Sequence, residues 1–131
     1  MQLYYQRERD KDFFQTCEAI RLENRTVYIS VRNIAKEAIN KEAQSFYLNI
    51  EVYARIINKV RAGGLEKVKN PLKKKLYMEL WNRYIRIKSQ NQSLNSTDCA
   101  KIIAEQKAPQ FYLSERHAVN IYYRLLKDNP K

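Results

Sequence analysis

The sequence predicts an all-α protein built as two tandem three-helix units related by a shift of 65 residues. Three observations predict it. Among 131 residues there are only two Gly and three Pro, too few for the tight turns of a chain made of strands. Apolar side chains recur with helical spacing in six stretches. The segments Ile34–Ala62 and Cys99–Lys127 overlay without a gap, with identities at Ala35/Ala100, Lys36/Lys101, Ala43/Ala108, Phe46/Phe111, Tyr47/Tyr112, Leu48/Leu113 and Ile56/Ile121. The shared Ala-x-x-Phe-Tyr-Leu-[Asn/Ser] block is more than amphipathic periodicity requires, and it reads as a duplication. The first unit is expected over residues 1–62, a short basic linker over 63–70, and the second unit over 71–131.

In the first unit, a helix is expected over about Arg7–Glu23, with Phe13, Phe14, Cys17 and Ile20 inward. Its Ile20-Arg21 pair aligns with Ile85-Arg86 at the same shift. Thr26–Ile29 is rich in strand formers. It reads as a loop whose Ile29 acts as a hydrophobic staple, with a short extended edge as the alternative. A second helix follows over about Val31–Lys41, capped by Ser30, and a third over about Ile50–Ala62, capped by Asn49. Gly63 is placed to terminate it.

In the second unit, Asn70-Pro71 supplies a cap and a first-turn proline. Leu76, Tyr77, Leu80, Trp81, Tyr84 and Ile85 then form a helical stripe, and the polar run Gln90–Asn95 ends it. Ser96 or Thr97 caps the next helix, Thr97–Gln106, with Ala100, Ile103 and Ala104 inward. Pro109 disfavours helix at Ala108, so Ala108–Leu113 reads as an extended turn. Ser114 caps a last helix over Glu115–Lys127, with Glu115 in the first turn, where the dipole favours an anion.

Composition narrows the function. Twenty-five Lys+Arg against 14 Asp+Glu give a net charge of +11. Residues 1–65 hold 11 basic and 8 acidic side chains; residues 66–131 hold 14 and 6. A polyanionic partner follows from that balance. The longest apolar runs are too short for a membrane span or a secretory core, so a cytoplasmic protein without a membrane partner is expected. With one His, no paired carboxylates at a convincing spacing and no Gly-rich phosphate loop, an enzyme is not expected, nor a metal site or cofactor. Cys17 and Cys99 read as buried, reduced thiols.

The stretch STDCAKIIAEQKAPQFYLSERHAVNIYYRLLK (Ser96–Lys127) resembles helix two, turn and recognition helix of a helix-turn-helix unit. NIAKEAINKEAQSFYLNIEVYARIINKVR (Asn33–Arg61) resembles the same arrangement again. The block Ala108–Ser114 is also similar to one found in small basic proteins carried by bacterial phages and mobile elements. The resemblance spans roughly residues 7–127. It implies a DNA-binding regulator or accessory factor of transcription, with no catalytic residue to carry over.

On the last helix, Ala118, Ile121, Tyr122 and Leu125 form the expected inward stripe. Arg116, Asn120, Tyr123, Arg124 and Lys127 occupy the other side. Arg forks onto guanine and Asn onto adenine in a major groove, so this is the expected reading face for double-stranded DNA. The equivalent positions of the first unit are Glu51, Arg55, Asn58 and Lys59, where the glutamate makes a weaker reader. Lys67, Lys69, Lys73, Lys74 and Lys75 cluster at the linker and the start of a helix, where cations oppose the macrodipole and a bound phosphate would offset them. Most aromatics, Phe13, Phe46, Phe111, Trp81, Tyr84 and Tyr122 among them, read as core. Tyr123 and the Tyr4-Tyr5 pair are candidates to face outward. His117 reads as a surface histidine. The competing expectation is a structural or adaptor protein whose helical faces bind another protein.

Overall fold

A computed structural model describes residues 2–128; Met1 and residues 129–131 of the expected units lie outside the described residues. The protein is all-α. Its helices are α1 (Gln2–Glu23), α2 (Val31–Ala38), α3 (Ile50–Arg61), α4 (Pro71–Gln90), α5 (Ser96–Ala104) and α6 (Glu115–Asp128), with a single 3-10 turn at Gly64–Lys67. No strand forms among the described residues, Thr26–Ile29 included. The extended pairing lies elsewhere, in an isolated antiparallel bridge between Ala43 and Ala108.

Local chemistry explains the boundaries. Ser30 is extended and its side chain accepts the Asn33 N–H, so α2 starts as expected. It stops at Ala38, three residues short of the expected Lys41, and the chain turns toward the Ala43 bridge. Asn70 accepts the Lys73 N–H and Pro71 opens α4. The cap of α5 is Asn95, in place of Ser96 or Thr97: Asn95 accepts the Asp98 N–H and Asp98 reaches back to the Asn95 N–H, a reciprocal capping box. Ser114 Oγ accepts the His117 N–H at 3.1 Å and opens α6. Asn49 precedes α3 in the extended conformation but makes no side-chain cap. Gly63, at φ +83°, ends the α3 segment in a conformation that costs other residues strain.

The described helices group into two compact units, and these are not the contiguous trios 1–62 and 71–131. One unit is built on Tyr47–Gln106 and packs α3, α4 and α5 against one another. The other joins Gln6–Phe46 to the chain from Lys107 onward, and packs α6 with α1 and α2. The third helix of each sequence trio is therefore housed with the first two helices of the other. A repeat in sequence names equivalent elements; it does not name the copy on which each one packs.

The Phe-Tyr-Leu block carries the change of direction. Among the described residues, Tyr47 (φ 59°) and Tyr112 (φ 55°) are the two non-glycine residues with positive φ. Ala43 and Ala108 each donate to the other's carbonyl at 2.9 Å, and the Phe111 N–H reaches Ile39 O at 3.2 Å. Both alanines are sealed from solvent.

Burial follows the 65-residue correspondence in the last two helices of each trio. Ile34, Ala35 and Ala38 of α2 are buried, as are Cys99, Ala100 and Ile103 of α5. Tyr53, Ile56 and Ile57 of α3 are buried, as are Ala118, Ile121 and Tyr122 of α6. The first helices do not keep this register. Ile20 is buried, whereas its sequence match Ile85 is 47% exposed. The core of α1 is Phe13, Cys17 and Ile20; that of α4 is Leu80 and Tyr84, with Trp81 half-buried against Tyr84. Phe14 is half-buried too, its ring edge-on to Tyr122.

Candidate nucleic-acid interface

Regrouping the helices also regroups the charge. Residues 47–106 hold twelve Lys/Arg and five Asp/Glu, net +7; the rest of the chain holds thirteen and nine, net +4. The basic linker and α3, not α6, share the more basic unit. On α3, Arg55 and Lys59 are exposed one helical turn apart. Lys59 Nζ lies 5.8 Å from the centre of the Tyr77 ring of α4. Val52, Arg55, Ile56, Lys59 and Tyr77 line a shallow cleft of about 200 Å³. Lys67, Lys69, Lys73, Lys74 and Lys75 are all exposed, on the 3-10 turn, the connection after it and the first turn of α4. The first turn of α4 holds no acidic residue.

Salt bridges engage part of the cations in each unit. In the α1–α2–α6 unit, Arg9, Lys11, Arg21, Arg32, Lys107 and Arg124 each sit in a salt bridge. In the α3–α4–α5 unit, Arg83 pairs with Glu79 at 2.7 Å. Among the described residues, Arg55, Lys59 and the five clustered lysines have no acidic partner.

Other polar side chains here are structural. Arg61 donates to the Tyr84 hydroxyl at 2.6 Å and to Ser96 Oγ at 2.8 Å, and Ser96 Oγ donates to Asn58 Oδ1 at 3.0 Å. Asn58, expected to read a base, is thereby tied into the packing of α3 on α4 and α5. Lys88 donates to the carbonyls of Gln92 and Leu94 and closes the loop after α4. Nothing in the spacing of Arg61 signals its role, since Tyr84 and Ser96 lie on other helices whose approach is a tertiary fact; the role of Lys88 is local to the end of α4.

In the other unit, α6 presents Arg116, Asn120, Tyr123 and Lys127 to solvent, as the helical spacing requires. Arg124 is also exposed, but its guanidinium holds Asp10 at 2.6 Å. Asp10, only 8% exposed, also accepts from Arg9. So Arg124 is occupied by an internal carboxylate. His117 is exposed. Partial burial and the neighbouring Arg9 hold its imidazole below the ordinary value. Of the expected outward tyrosines, Tyr123 and Tyr4 are exposed, and Tyr5 packs edge-on to Tyr4. The most exposed aromatic, Tyr28, lies in the strand-like loop and escapes a reading based on helical spacing. Cys17 and Cys99 are buried and free, and burial pushes Cys17 up to about 12. None of the described helices is long and apolar enough to cross a membrane. No protein-family model matches the chain, and neither a curated protein nor a solved structure is found similar to it.

Proposed function

We propose that the protein is a non-enzymatic nucleic-acid-binding protein that engages double-stranded DNA, with the α3–α4–α5 unit as its main phosphate-binding surface. One observation carries this reading: seven exposed cations, Arg55, Lys59, Lys67, Lys69, Lys73, Lys74 and Lys75, gather on one unit without an acidic partner among the described residues. Like charges held together cost folding free energy unless counterions or a polyanion neutralise them. Lysines in the first turn of α4 add to that cost, and a phosphate there would relieve it. The unit is helix-turn-helix-like in holding three packed helices, but its third helix comes from the other trio. Duplication of one ancestral trio, followed by exchange of the third helices, accounts for the equal burial patterns 65 residues apart. A regulatory or accessory role is the one that the resemblance read from the Ala108–Ser114 block implies.

The test is duplex affinity across salt. Seven phosphate contacts give a slope of log K on log salt of roughly −6. Replacing Lys67, Lys69, Lys73, Lys74 and Lys75 by Ala should flatten it by about 4–5. A flat profile for the unaltered protein would sink the reading. A protein-binding role has its own support in α4, where Met78 and Ile85 are exposed beside half-buried Trp81. Stoichiometric retention of a protein partner, with no DNA held at moderate salt, would favour that role.

A further inference from the structure

The α1–α2–α6 unit carries a concavity that the lysine-based reading leaves unused. Arg32, in the first turn of α2, donates through Nε to Glu115 Oε1, on the first residue of α6, at 3.2 Å. Behind this pair, Arg116, Val119 and Asn120 complete an open cleft of about 480 Å³. That volume lies in the range of small-ligand sites, which run from roughly 300 to 1,000 Å³. Its wall holds two guanidiniums, one carboxamide, one aliphatic side chain and one carboxylate.

Each group has a distinct use. The side chains of Arg32 and Glu115 are 77% and 38% exposed, so solvent screens their ion pair and it yields readily to a stronger partner. A phosphate is such a partner, because two guanidiniums offer it fork-shaped donor pairs. Asn120 follows Arg116 by one helical turn and offers both a donor and an acceptor, the combination that reads a base edge. Val119 gives the flat face of a base an apolar surface. Glu115 opposes the phosphate, and in the empty cleft it holds Arg32.

We propose that this cleft binds a single nucleotide unit of a nucleic acid, its phosphate between Arg32 and Arg116 and its base edge at Asn120. The inference rests on the nucleic-acid reading above and adds a division of labour to it. The lysine-rich unit supplies affinity that ignores sequence; the α2–α6 cleft supplies base preference. Arg32 is a contact that helical spacing on α6 does not reveal, since it reaches the site from another helix.

The experiment uses the full chain, labelled for NMR and titrated separately with the four deoxynucleoside monophosphates and with inorganic phosphate. The Val119 methyl and Asn120 carboxamide signals should shift, more for some bases than for others, and more for nucleotides than for phosphate. Arg32→Ala and Arg116→Ala should each weaken binding about tenfold, the loss of one charge-assisted contact. Asn120→Ala should keep phosphate-driven binding and erase the differences among bases. Glu115→Gln should raise affinity a few-fold, because it removes the opposing charge and releases Arg32. A merely structural role for the Arg32–Glu115 pair predicts no such gain. Silent Val119 and Asn120 signals would overturn the cleft proposal, even with duplex affinity retained through the lysines. Nucleotide binding at the cleft without any duplex affinity would instead overturn the lysine-based reading.

Discussion

Asp10 is the charged side chain set into the core among the described residues, and it survives there because two guanidiniums meet it. Arg124 reaches it at 2.6 Å and Arg9 at 3.0 Å. Removing the carboxylate leaves both arginines facing a partly buried gap. Asp10→Ala should therefore cost about 2 kcal/mol, after discounting for the exposed end of Arg124, measured by urea unfolding. Tyr122 is a second case. It is fully buried and donates to Glu18 at 2.8 Å, and burial together with that carboxylate raises its ionisation above the ordinary value. Tyr122→Phe should cost roughly 1–3 kcal/mol, because a carboxylate loses its donor. The same groups set an alkaline limit. Cys17 ionises near 9.0 when unfolded but only at about 12 when folded. The unfolded chain releases its proton first, so stability is full below pH 9 and declines as pH rises toward 12. Denaturation midpoints measured across that window should fall, and Cys17→Ala should shallow the decline. His117 acts at the other end. Its lowered folded value means the unfolded chain takes up a proton first as pH falls through 6.5. Its contribution is present above that pH and fades below it, and an NMR titration should find a midpoint under 6.5.

At the scale of elements, the decisive segment is the pair of alanines between the second and third helices of each trio. Ala43 and Ala108 exchange two backbone hydrogen bonds and have essentially no exposed surface. A larger side chain at either position must push the opposing strand of chain away. Ala43→Val and Ala108→Val should each cost about 1–3 kcal/mol, the range for overpacking a close contact. The double variant should cost less than the sum, since the first separation makes room for the second. Thermal unfolding of the three variants checks both statements. Much at this scale is legible in the sequence. Ser30, Asn70, Pro71 and Ser114 begin their helices as capping chemistry dictates, and the inward stripes of α3 and α6 follow from 3.6-residue spacing. Asn95 is missed because two further capping residues, Ser96 and Thr97, follow it, and only Asp98 in the third position decides among them. The positive φ of Tyr47 and Tyr112 is invisible as well, because tyrosine gives no sign of the left-handed region in the way glycine does. Yet those two residues sit at matching places in the two Phe-Tyr-Leu segments. The site is legible in part. Arg116 and Asn120 emerge from helical geometry, while Arg32 and the unpaired state of the lysine cluster depend on which helices meet.

At the scale of the whole molecule, the housing of α3 with α4 and α5, and of α6 with α1 and α2, makes a sharp prediction about cutting the chain. The expected linker, residues 63–70, lies inside the α3–α4–α5 unit, between α3 and α4. If each contiguous trio folded by itself, a cut there would release two independent halves. Here the same cut separates α3 from α4 and α5 covalently but leaves them packed, and α2 still packs on α6. Each half contributes a helix to the other's unit, so both fragments are needed for both cores. A protease site inserted after Gly63 is suitable, because that glycine is exposed and no atom lies within 4 Å of where its Cβ would be. Gly64 is unsuitable, since a Cβ there would meet the Lys59 side chain at 2.8 Å. The cleaved protein should elute as one species in native gel filtration, keep its helical circular dichroism, and separate into fragments only in denaturant. Its unfolding should become concentration-dependent, because association is now bimolecular. Elution as two folded halves would show that each trio houses its own third helix. In that case α6, not α3, would share a unit with the lysine cluster of residues 67–75, and the pairing of α3 with those lysines on which the DNA-binding reading stands would be gone.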